Sequence, residues 1–151
     1  MFTERPWRWW RRARKGFEKK VEVGGREHVV KIIDGGSKFD KSRGGKLLLR
    51  IWITAEVDGV RREYVITYGR YWRINAALGF AYARANAPGG REAEAERLAA
   101  VVEALTGVKP KIRRRSDGRV EVVCGREHLD GFMQYAELAD SIIKWLRESK
   151  Q

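Results

Sequence analysis

The stretch LLLRIWITAEVDGVRREYVITY, residues 47–68, decides the fold. Two runs rich in β-branched and aromatic residues flank Asp58-Gly59, the dipeptide that best tolerates the positive φ angles of a tight two-residue turn. That turn pairs Val57 with Val60 and fixes the register of everything outward. Leu49, Ile51, Ile53 and Val57 then share one face with Val60, Tyr64, Ile66 and Tyr68, a core face whose only charged member is Arg62. The opposite face carries Arg50, Trp52, Thr54 and Glu56 against Arg61, Glu63, Val65 and Thr67. It is a wet face that sets cations, an aromatic plane and hydroxyls on rigid backbone.

Downstream of Tyr68 the period changes. Ile74, Ala77, Leu78, Ala81, Tyr82 and Ala85 follow helical spacing and predict a helix over 74–85, stopping before Pro88-Gly89-Gly90. A second helix is expected over 92–105, with Glu92, Glu94 and Glu96 at its positive end and Gly107 in the C-cap region. Its buried stripe is Ala95, Leu98, Val101, Val102 and Leu105. Residues 111–124 read as a second hairpin with a three-residue Ser-Asp-Gly loop and Gly118 left-handed. In that register Ile112, Arg114, Val120, Val122 and Cys124 face the core, while Lys111, Arg113, Arg115 and Arg119 share the other face with Glu121. Four cations on one side of a two-stranded ribbon are the strongest local signal in the chain, and such a ribbon fits a DNA major groove. As exposed charges they are expected to add little to stability. Residues 126–148 read as helical with a break near Gly131; Leu129, Phe132 and Met133 form one apolar group, and Leu138, Ala139, Ile142, Ile143 and Leu146 a second.

Upstream, residues 21–34 form a short hairpin around Gly24-Gly25, and residues 35–45 read as a flexible, basic connection. Its Gly-Gly-Ser-Lys fragment lacks the spacing of a phosphate-binding loop. Residues 5–20 interleave Trp7, Trp9 and Trp10 with Arg8, Arg11, Arg12 and Arg14. Such an arm suits phosphates and stacked bases, the headgroup region of a membrane, or a terminal helix anchored by its tryptophans. The expected organisation is this arm over 1–20, then one α+β domain over 21–151.

The chain of 151 residues carries a net charge of +12. Residues 1–20 hold eight Lys/Arg against two acids, whereas residues 126–151 are slightly acidic. Basic charge therefore concentrates on the arm and the strands, which points to a polyanionic partner. The single cysteine, Cys124, rules out an internal disulfide and suits a reducing, cytoplasmic setting. No apolar run approaches a membrane span. The high charge, with few Cys and Met and arginine in excess of lysine, is compatible with a thermophilic origin.

The residues support no enzymatic chemistry and call for no cofactor. Both histidines lie in the tetrapeptide Gly-Arg-Glu-His, at 25–28 and 125–128. Cys124 and His128 are four apart, yet the spacing matches no zinc pattern, and no metal site is expected. Asp34, Asp40, Asp130 and Asp140 are scattered, with no pairing for two-metal hydrolysis.

The runs APGGREAEAERLAAVVEALTG (87–107), KIRRRSDGRVEVVCGREHLDGFMQYAELADSIIKWL (111–146) and TAEVDGVRREYVITYGR (54–70) resemble the paralogous-repeat "Rep-two-b" family of Pyrobaculum proteins. The resemblance spans about residues 17–148 and implies little about activity. At the level of pattern the chain is also similar to a LAGLIDADG homing-endonuclease half-domain, in the order hairpin, helices, hairpin, helix and in the junction Leu105-Thr106-Gly107-Val108-Lys109-Pro110. That likeness implies an open sheet face lying in the DNA major groove, which suits Arg50, Trp52, Arg61, Arg113, Arg115 and Arg119. The cleavage chemistry does not carry over, because the acidic LAGLIDADG helix is replaced by the basic residues 5–20. The sequence thus leads to an α+β domain of antiparallel hairpins in one sheet, helices on one face, and nucleic acid on the other, DNA in preference to RNA. The alternative is an interaction module whose tryptophan arm docks a partner or a second copy.

Overall fold

The structure, a computed structural model, describes residues 17–71 and 76–149. Seven antiparallel strands form one curled sheet, a half-barrel, with three helices packed against it. The strands are β1 (Phe17–Val23), β2 (Arg26–Lys41), β3 (Leu47–Val57), β4 (Val60–Tyr71), β5 (Ala76–Tyr82), β6 (Lys111–Arg114) and β7 (Val120–Cys124), in the spatial order β1-β2-β3-β4-β5-β7-β6. The helices are α1 (Gly90–Thr106), α2 (Arg126–Phe132) and α3 (Ala136–Glu148).

The central hairpin has the register its turn dictates. Val57 pairs with Val60, Ile51 with Ile66 and Leu49 with Tyr68. Asp58, at φ 50°, is the only non-glycine among the described residues with positive φ, and Gly59 follows at φ 85°. Leu49, Ile51, Ile53, Val57, Ile66 and Tyr68 are completely buried. Arg62, the charged member of that face, reaches the buried Glu94 of α1, Nε to Oε1 3.0 Å. The three acids of the first turns of α1 each go to a different strand: Glu92 to Arg114, Glu94 to Arg62, and Glu96 to Arg26 and His28. A helix opening rich in acids thus becomes the point at which α1 is fixed on the sheet. Its other end stops at Gly107, φ 79°, whose N–H donates to Glu103.

Two expectations are overturned. Of the residues read as a helix over 74–85, Ala76–Tyr82 form β5 instead. Ala77, Gly79 and Ala81 face the core, and Leu78, Phe80 and Tyr82 face away. Alanine favours helices, but its smallness is what this strand uses: a β-carbon on Gly79 would meet the Tyr68 ring at 2.7 Å. Packing across strands outweighs a local preference of well under 1 kcal/mol per residue. Nor is the basic connection over 35–45 a loop from its start. β2 continues through Lys41, after a bulge between Ile32 and Asp34. Gly36 belongs to the strand, directly opposite Trp52.

The C-terminal helical region breaks at residues 133–135, just after Gly131, whose bare backbone lets α2 approach Thr106 of α1. Leu129, Phe132, Leu138, Ala139 and Ile142 are fully buried; Met133, Ile143 and Leu146 are only half-buried. Trp145, the largest fully buried side chain of α3, donates its indole N–H to the Leu47 carbonyl at 3.1 Å. Ser37 and Ser141 join β2 to α3 by two further hydrogen bonds. All of this packing lies on one side of the sheet. Across β2–β7 the opposite side carries the residues of interest.

Candidate nucleic-acid interface

The pairing registers place one line of side chains across six strands of the open face. Lys38 pairs with Arg50, Arg50 with Thr67, Thr67 with Phe80, Phe80 with Val123, and Val123 with Lys111. At about 4.8 Å per strand this line spans about 24 Å, with cations at both ends and an aromatic ring between them. Arg50 and Lys111, expected on the binding face from two separate hairpins, are thereby brought onto one rung. Lys38 and Phe80 also belong to it, and the sequence reading missed both by assigning their segments to a loop and a helix. The available signal was the alternation of Leu78, Phe80 and Tyr82 against Ala77, Gly79 and Ala81.

Next to this rung lies an aromatic and cationic cluster. Tyr71 and Phe80 meet edge to face at 5.7 Å. Lys46 Nζ sits 4.2 Å above the Tyr71 ring, the Arg113 guanidinium 5.9 Å from Phe80, and that of Arg119 5.7 Å from Tyr82. Tyr71 and Tyr82 are among the few exposed large hydrophobic side chains.

The β6–β7 ribbon has the bulged register. Arg113 pairs with Glu121 and Arg114 with Val120, Gly118 is left-handed at φ 91°, and Arg115 and Arg119 close the loop. Its cations are less free than the sequence suggests. Arg113 and Arg115 converge on one oxygen of Glu121, at 2.7 and 3.0 Å, and this carboxylate is completely buried beneath them. Burial alone would raise the Glu121 pKa, but the two guanidiniums hold it below the usual carboxylate range. Arg119 is bound to Asp117, Arg50 to Asp40 and Arg61 to Glu56. Among the described residues Lys38 and Lys111 form no ion pair. Arg114 faces the helix side as expected, where it grips Glu92, yet it remains largely exposed. The expectation that the ribbon's arginines are dispensable to the fold is therefore corrected: two of them neutralise a buried acid.

Trp52 lies on the rung beside Arg50, and Arg61 near the hairpin tip. The arm residues Arg8, Arg11, Arg12 and Arg14, with Trp7, Trp9 and Trp10, lie outside the described residues.

The two Gly-Arg-Glu-His copies turn out to do different structural work. His28 bridges Asp58 and Glu96, whereas His128 Nδ1 accepts the Gly125 N–H at the start of α2. Cys124 points into the core, and burial pushes its thiol up to about 12, far from the thiolate a metal would need. Among the described residues no group of three or more His, Cys, Asp or Glu is placed to hold a metal ion. Likewise, no helix among them is long and apolar enough to cross a membrane.

Fold and face together define an α+β sheet protein with one side packed by helices and one side open, basic and aromatic. No family model, curated protein or solved structure matches the chain.

Proposed function

We propose that the protein binds nucleic acid through the open face of its sheet and carries out no catalysis there. The observation that carries this reading is the single rung from Lys38 through Arg50, Thr67 and Phe80 to Lys111, which sets cations about 24 Å apart along the curled sheet on rigid backbone with an aromatic ring between them. Lysine and arginine on such a face supply phosphate contacts, and aromatic rings supply stacking, which together are the two recurrent means of holding a polynucleotide. The net charge of +12 favours the encounter. The cations of β6–β7 at the edge of the sheet make duplex DNA, the denser array of phosphates, the first form to test, and that preference agrees with the pattern-level similarity to a homing-endonuclease half-domain.

The experiment is a salt titration of binding to duplex DNA, single-stranded DNA and RNA, followed by anisotropy. Counterion release gives a log–log slope of about −0.9 per phosphate neutralised on duplex. Lys111→Gln removes a charge with no ion pair to disturb, and is expected to reduce that slope by about one unit. Absence of any binding at low salt would sink the proposal and favour the interaction module, in which Trp7, Trp9 and Trp10 dock a protein or a second copy.

A further inference from the structure

Trp52 stands between Gly36 of β2 and Val65 of β4 on neighbouring strands. A β-carbon at position 36 would fall 2.6–2.8 Å from Cζ2, Cε2 and Nε1 of the indole, so this edge of the ring packs closely against the Gly36 backbone. No side chain other than glycine leaves room for that. The indole is thereby held in place across β2 and β3. Together with Lys38, Arg50, Glu63 and Val65 it lines a cleft of about 230 Å³. This is below the roughly 300–1,000 Å³ of pockets that enclose drug-sized molecules, and suits one ring system.

The registers also order the polar groups along the cleft. Lys38 and Arg50 pair on the rung to one side of Trp52, and Glu63, paired with Thr54, lies on the rung to the other side. Each is about 7 Å from the indole position along the strands. Arg50 arrives already oriented, its Nε 2.9 Å from Asp40. Val65, beside the indole, is left 41% exposed. A tryptophan that served only to cover a glycine would not need a flanking cation pair, an uncovered apolar neighbour and a carboxylate at the far end. The sequence of cations, flat apolar floor and carboxylate matches the phosphate, base and exocyclic amino group of a nucleotide.

We infer that the Trp52 cleft is a subsite for one unpaired nucleotide of a bound nucleic acid, its base stacked on the indole, its phosphate at Lys38 and Arg50, and its amino edge toward Glu63. The inference rests on the nucleic-acid reading above and deepens it. A base inside a duplex offers only its edge in the grooves, whereas stacking needs a base released from pairing, at an end, in a bulge or in a single strand.

The test compares the full chain's binding to two single strands of equal length and charge, one of deoxycytidines and one with an abasic backbone. Stacking of one base predicts that the cytidine strand binds about tenfold more tightly. Trp52→Leu is expected to cut that ratio several-fold, leaving only the preference owed to Phe80, Tyr71 and Tyr82, without changing the salt slope for the abasic strand. Trp52→Phe, which keeps an aromatic plate, retains a clear preference and guards against a folding defect in the leucine variant. Equal binding of the two strands by the wild-type chain overturns the inference and leaves the phosphate-binding face standing. An unchanged ratio in Trp52→Leu also overturns it, since stacking then occurs elsewhere. Failure of every strand and duplex to bind at low salt removes the parent reading, and the subsite with it.

Discussion

His28 Nδ1 lies 2.6 Å from the Asp58 carboxylate, which ties the β1–β2 hairpin to the tip of the β3–β4 hairpin. The other ring nitrogen is 2.7 Å from Glu96 on α1, so one buried imidazole joins three elements. Each ring nitrogen thus faces a carboxylate oxygen, and a nitrogen that carries a proton donates to it. Arg26, with Nε and Nη2 on the two oxygens of Glu96, adds a guanidinium to the junction.

Acid is expected to loosen this junction. The Arg26 guanidinium and then the His28 ring hold Glu96 below its ordinary value of 4.5. At Asp58, desolvation works in the opposite direction, but the Val29 amide and His28 prevail and hold it below 3.8. Carboxylates depressed in the folded state contribute stability that is fully present above their unfolded values and lost as pH falls through the folded ones. Urea midpoints should therefore be steady on the acid side down to about pH 5 and fall steeply below it. Glu96→Gln should lower the midpoint at neutral pH and make the acid fall shallower. An identical acid profile in that variant would show that the junction does not couple to protons.

A second expectation concerns Glu121. Because Arg113 and Arg115 both neutralise this buried carboxylate, replacing the two with glutamine should cost about 1–2 kcal/mol, a modest figure since the site lies just under the surface. Adding Glu121→Gln to that double variant should recover most of the loss. Chemical denaturation of the three chains measures this directly. A double variant as stable as wild type would mean that Glu121 is already protonated or hydrated. The ribbon's contribution to binding is for the same reason read more cleanly from Lys111→Gln than from the arginines.

Where a local signal and the packing agree, the sequence was sufficient. Asp58-Gly59 set the central register, Ser116-Asp117-Gly118 set that of the ribbon, and Gly107 ended α1 where its apolar stripe stopped. Reading failed where the cause is a distant side chain. Residues 74–85 fit both periods, and only the ring of Tyr68, eleven positions before Gly79, makes the extended form the better one. Gly36 looks like a loop residue until Trp52 is laid over it. At the site, the face on which each arginine lies was legible from alternation, as seen for Arg50 and Arg113. Their acidic partners Asp40 and Glu121 were less so, because a binary pattern of apolar and polar positions does not say which polar groups meet. That is also why the free lysines, and not the more numerous arginines, emerge as the groups best able to meet an incoming phosphate.

The Tyr68–Gly79 contact allows a last, sharp test of the β5 assignment. The tyrosine is wholly buried, its hydroxyl donates to the Gly125 carbonyl at 2.9 Å, and its ring passes over the position where a β-carbon on residue 79 would stand. Gly79→Ala forces the ring aside. Flexible neighbours cannot absorb the shift cheaply, because residue 79 is held on one side by β4 and on the other by Cys124 of β7. The cost expected for such overpacking is about 1–3 kcal/mol, with the hydrogen bond to Gly125 weakened as well. In a helix the same change would be stabilising by roughly 0.5–1 kcal/mol, since glycine is the poorer helix former. The sign of the effect thus separates strand from helix. Tyr68→Leu should lose stability on its own, yet in its background Gly79→Ala should cost much less, the shortfall from additivity reporting the direct contact. Urea denaturation of the wild type, both single variants and the double variant completes the cycle. A stabilising Gly79→Ala, or strict additivity with Tyr68→Leu, would overturn the packing described for β5.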